Sequence, residues 1–105
     1  MKKTIKAAIK RPEEERWHIE TIDNTLEALQ KIVGGHIETV TLFHDLTIIC
    51  NEEGRLLDLE PNCKICGVEF VGPLVAVGID RTEFADVPIE DEATFNRLIE
   101  RRTNN

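Results

Sequence analysis

From Thr4 to Lys10 the chain alternates, with Ile5, Ala7 and Ile9 on one face, the period-two pattern of a strand. Pro12-Glu13-Glu14 turns it, and Arg16 to Ile22 alternates again with Trp17, Ile19 and Thr21 aligned as a second strand. The period then lengthens. Leu26, Leu29, Ile32 and Val33 share one helix face, Asn24 with Glu27 three residues on reads as a capping box, and Gly34-Gly35 ends the helix. Ile37 to Phe43 and Leu46 to Cys50 predict a hairpin around His44-Asp45. Asn51 to Gly54 is a turn, and Arg55 to Leu59 a short strand or a single helical turn. Val68 to Ile79 is the best candidate for a buried strand, broken at Gly72-Pro73 by a bulge or a bend. Thr82 to Val87 reads as a loop, and a last helix from about Ile89 to Arg102 buries Phe95, Leu98 and Ile99. With no repeat, linker or low-complexity stretch, residues 1–105 are expected to form a single α+β domain: a mostly antiparallel sheet with one or two helices packed on one face.

Composition narrows this. A chain of 105 residues builds only a modest core, which a staple or a partner would help. It has no apolar run of the roughly 18 residues a membrane helix needs. The basic N-terminus also lacks a signal peptide's apolar segment, so the cytosol is the expected location. Net charge is −7 and unevenly spread. The first eleven residues carry Lys2, Lys3, Lys6, Lys10 and Arg11 and no acid, leaving eight basic against 20 acidic side chains beyond them, a net of −12. Such a body repels nucleic-acid phosphates and suits a basic partner, although acidity also serves solubility alone. The acidic stretches Glu13-Glu14-Glu15, Glu52-Glu53 and Glu90-Asp91-Glu92 are the candidate contact surface.

Cys63-Lys64-Ile65-Cys66 is the one motif with metal chemistry, because two thiolates at that spacing can turn onto one tetrahedral zinc ion. Cys50 can close the loop as a third ligand, and three cysteines fit a reducing compartment better than a disulfide framework. For the fourth ligand, a turn at His44-Asp45 brings His36 back beside residues 52 and 53, which favours His36. His18 and His44 are the alternatives, though six residues of strand set His44 ~20 Å from Cys50. A structural, zinc-stapled loop is the expectation. A redox pair fits less well, since the motif leads into a strand rather than opening a helix. No motif positions a Cys–His nucleophile pair, the spaced glycines precede no helix of a βαβ unit, and an enzyme is not expected.

The run Asn24-Thr25-Leu26-Glu27-Ala28-Leu29-Gln30-Lys31-Ile32-Val33-Gly34-Gly35-His36-Ile37-Glu38 resembles the start of a small domain family. Ile49-Cys50-Asn51-Glu52-Glu53-Gly54-Arg55-Leu56, then Leu59, Pro61, Asn62 and Val71-Gly72-Pro73, continue the likeness over about residues 4 to 80. That family is a domain of unknown function common on phages, plasmids and conjugative elements of Gram-positive bacteria. The Cys63/Cys66 pair departs from its pattern, and the resemblance brings no catalytic residues. It implies a mobile-element protein in the host bacterial cytosol. A small acidic protein in that setting is expected to inhibit a host defence protein, as an anti-CRISPR that keeps nucleic acid from a Cas9-type nuclease. Two other classes fit the sequence: a small-ligand module that sequesters a signalling nucleotide, and an accessory factor for element replication or transfer.

Overall fold

The computed structural model describes residues 3–43 and 45–103. Alternation becomes pairing at the N-terminus. Strand β1 (Thr4–Lys10) lies antiparallel to β2 (His18–Asp23), with Ile5 opposite Ile22 and Ala8 opposite Ile19. Helix α1 (Leu26–Val33) follows, then the hairpin of β3 (Ile37–Phe43) and β4 (Leu46–Asn51), with a register shift between Thr41 and Phe43. A second hairpin, β5 (Pro61–Ile65) and β6 (Val68–Val71), forms a two-stranded sheet of its own. Strand β7 (Leu74–Asp80) re-enters the main sheet between β1 and β4, and β8 (Glu83–Ala85) folds back on its end. Helix α2 (Glu92–Thr103) closes the chain. The main sheet runs β2-β1-β7-β4-β3 with β8 on β7, and all its pairings are antiparallel.

Sidedness differs from the expectation. Leu29 and Val33 of α1 pack with Ile5, Ala7, Ile9, Ile49, Val75 and Val77 on one face. Phe95 and Ile99 of α2 pack on the other with Trp17, Ile48, Leu74 and Ala76, together with Ile65 and Phe70 of the β5–β6 hairpin. The helices therefore lie on opposite faces. The cause is in the central strands: β4 is buried at every position and β7 from Leu74 to Gly78, so both faces need cover. Trp17 meets Phe95 edge to face at 5.5 Å. Asn96 clamps the backbone of Trp17, accepting its N–H at 2.9 Å and donating to its C=O at 3.0 Å.

Three local readings are corrected. Thr25, not Asn24, is the N-cap of α1: its hydroxyl accepts the Ala28 N–H at 3.1 Å, while Asn24 donates to the Phe84 carbonyl. Glu27 is thereby one position too early for a capping box. The stretch from Val68 to Ile79 is two strands in two sheets. Gly72 holds φ 73°, and a Cβ there would meet Leu59 Cδ1 at 2.7 Å, so the chain turns where only glycine fits. The 82–87 segment is not all loop, because Glu83–Ala85 pairs with β7. Gly78 lets residue 86 close over that corner, where a Cβ would stand 2.3 Å from the Asp86 carbonyl oxygen.

Candidate functional site

The cysteines take separate places. Cys63 sits in β5, half-buried against the α2 side of the core, and lines a cleft with Lys10, Trp17 and Asn96. Cys66 is exposed at the first position of the two-residue β5–β6 turn, at φ 51° with Gly67 at φ 81°, and its N–H donates to the Arg102 carbonyl. That mirror-image turn, which holds the hairpin's twist, carries Cys66 out to the surface while Cys63 packs against the core. Cys50 is buried in β4, its sulfur 3.9 Å from Glu38 Oε1. His36 does return beside residue 52, its carbonyl accepting the Glu52 N–H at 2.8 Å, but its side chain is exposed. His18 lies 3.2 Å from Glu14, and His44 falls outside the described residues. Among the described residues no three His, Cys, Asp or Glu side chains gather as a group that could hold a metal ion.

Burial is the first cause that pushes the Cys50 thiol up to about 11, with the nearby Glu38 carboxylate adding to it. Burial likewise pushes Cys63 up to about 11, against the pull of Lys10. Both thiols are held neutral near pH 7, unlike an activated nucleophile.

Cys50 instead lies at the floor of a groove of about 520 Å³ between β3, β6 and the turn after β4. Glu38 and Val40 point to the same sheet face as Cys50 and Ile48, which their register puts opposite. The far wall is the 52–59 turn, closed by bonds from the Gly54 N–H to the Asn51 carbonyl and from the Leu59 N–H to the Gly54 carbonyl. Arg55 ties that turn to β6 by donating to the Glu69 carbonyl at 2.9 Å. Gly54 permits the approach, since a Cβ there would stand 2.8 Å from Val71 Cγ2. The lining is mainly apolar, with Val40, Leu56, Val68, Phe70 and Val71, and Glu38, Glu52, Glu53 and Glu69 stand around it. Leu56 is 82% exposed, Leu57 56% and Val68 37%, three of the four large apolar side chains left most open to solvent among the described residues.

A family model described as a domain of unknown function (DUF3846) matches residues 5–100, from β1 well into α2. The chain belongs to the DUF3846 family. No curated protein and no solved structure matches it.

The acidic stretches of this DUF3846 domain divide by what else they do. Glu52 and Glu53 are exposed on the groove. Glu14 accepts the Arg11 N–H at 2.7 Å, while Glu13 and Glu15 are exposed. Glu90 is 2.9 Å from Lys6, and Glu92 accepts the Ile19 N–H at 2.7 Å. Asp91 caps α2 through the Thr94 N–H and hydroxyl, and those bonds hold its carboxyl below the usual range. The 90–92 stretch thus serves the fold at all three positions. The basic strand is committed too: Lys10 is buried and donates to Asn62, and the ion pair with Glu90 holds the Lys6 ammonium above its usual value. Among the described residues no helix is long and apolar enough to cross a membrane. Glu38 and Glu69, missed in the sequence, join the site only through strand placement, whereas Leu56-Leu57, two leucines in a polar turn, were a readable signal.

Proposed function

We propose that this DUF3846 domain is a non-enzymatic binding protein whose partner presents a basic surface. One observation carries it: beyond the first eleven residues the chain is strongly acidic, and four of its exposed carboxylates surround an apolar groove. In the mobile-element setting that the resemblance implies, the partner is a host defence protein. A Cas9-type nuclease is the form put to the test, because such enzymes hold nucleic acid in a positively charged channel. The acidic face competes there with phosphate for Lys and Arg and blocks loading of guide or target. Association driven by this field is fast at low salt and weakens as salt rises.

The test is co-elution of the purified protein with a Cas9–guide complex, followed by DNA cleavage across a salt series. Stable co-elution at low salt with loss of cleavage is the expected result. A protein that binds no defence nuclease, but emerges from purification with a nucleotide held in native mass spectrometry, overturns it in favour of the ligand module. Recovery of an element-encoded replication protein alone overturns it in favour of an accessory factor. Four carboxylates around the groove weigh against a nucleotide there, since they repel phosphate.

A further inference from the structure

We propose that the groove between β3, β6 and the 52–59 turn takes an extended protein segment in which a large apolar side chain is flanked by Lys or Arg. This rests on the basic-partner reading above and adds the surface and the pattern it recognises.

Shape sets the class of occupant. At about 520 Å³ the groove falls in the size range of ligand-binding clefts, and exposed leucines on its turn wall extend the apolar surface beyond it. An apolar side chain entering it meets Val40, Leu56, Val68 and Phe70, and removes from water the side chains this fold leaves exposed. Charge sets the flanks. Glu38 stands on β3, Glu52 and Glu53 on the turn, and Glu69 on β6, so each wall offers a carboxylate. Among the described residues none of the four is in an ion pair, and the groove's one cation, Arg55, already donates to the Glu69 carbonyl. An acidic segment is repelled, and an uncharged one leaves the carboxylates unanswered.

Backbone geometry favours an extended occupant. In the two-residue β5–β6 hairpin, Ile65–Val68 closes the turn and Lys64–Glu69 is the next pair. That pair is the one without mutual hydrogen bonds, so the N–H and C=O of Glu69 face the outer edge. Arg55 takes the carbonyl there, which shows that this edge is turned to the groove. All four residues of β6 line the groove, and among the described residues β6 pairs only with β5, so a segment lying along it meets strand backbone as well as side chains.

The probe is a displayed library of random ten-residue peptides selected on the full chain. Its winners are then titrated into isotopically labelled protein and followed by amide shifts. Enrichment of a large apolar residue between two Lys or Arg, with shifts at Val40, Leu56 and Val68, is the expected result. Glu52→Lys with Glu53→Lys should weaken such peptides at least tenfold, and Leu56→Asp should do so with the charges on the other walls intact. Basic winners whose shifts fall elsewhere, such as the apolar pocket of Leu46, Phe95 and Leu98, overturn the groove while the basic-partner reading stands. Winners without basic residues overturn both.

Discussion

At Cys63 and Cys66 one spacing serves two backbone conformations. The first lies in a strand and the second at the start of a tight turn. Cys66 is exposed, while Cys50 and Cys63 are raised from 9.0 to about 11 by burial. A raised pKa of about two units leaves about a hundredfold less thiolate at pH 8 than an ordinary thiol has. Alkylation at pH 8 followed by peptide mapping should therefore modify Cys66 first, with Cys50 and Cys63 slower by about a hundredfold or more. Equal labelling of Cys63 and Cys66 would show β5 opening in solution. The same shifts carry a sign for stability. The folded state prefers both thiols neutral, so their contribution is whole below pH 9 and is lost as pH rises through about 11. Urea midpoints measured from pH 8 to 11 should fall, and Cys50→Ala with Cys63→Ala should flatten the fall. A fall of unchanged size in that variant would assign it to other groups.

Elements with a clear period were legible, whereas the short strands β5 and β8, and the sheet that each strand joins, were not. The β3–β4 hairpin was readable because two apolar, β-branched runs flank the polar pair His44-Asp45. The Gly72-Pro73 break was also visible, but a break does not say whether the chain bends within a sheet or leaves it. Membership of the smaller sheet is decided by contacts such as Asn62 to the Lys10 and Gly72 carbonyls, which no period records. The placement of α2 is of the same kind. Its Phe95 and Ile99 were expected in the core, yet Asn96 between them is what fixes α2 to the start of β2. Asn96→Ala leaves the N–H and C=O of Trp17, a residue 3% exposed, without their amide partner. Loss of about 2 kcal/mol in chemical denaturation is expected. Asn96→Asp, which can still accept but not donate, should lose less. A loss below about 0.5 kcal/mol for the alanine would mean that water replaces the amide.

For the whole molecule, composition gave the sign of the surface and the fold decides which charges are free to act. Glu52 and Glu53 were readable as a contact pair, but Glu38 and Glu69 join them only because β3 and β6 face one another across the groove. The three acidic stretches look equivalent in sequence and are not equivalent in the structure. Reversing Glu90, Asp91 and Glu92 to Lys sets a like charge beside Lys6, removes the cap of α2 and takes away the acceptor of the Ile19 N–H. The melting temperature should fall. Reversing Glu52 and Glu53 disturbs no side-chain bond among the described residues, since the turn uses their backbone and the Asn51 side chain. There the melting temperature should hold, while affinity for a basic partner drops and depends less on salt, because fewer charges meet at the interface. Melting curves and binding isotherms at two ionic strengths on both variants separate fold from surface. Equal loss of binding at unchanged stability in both would spread the contact beyond the groove. Full binding after the Glu52 and Glu53 reversal would remove the turn's charges from the contact and leave it to Glu38, Glu69 and the exposed Leu56 and Leu57.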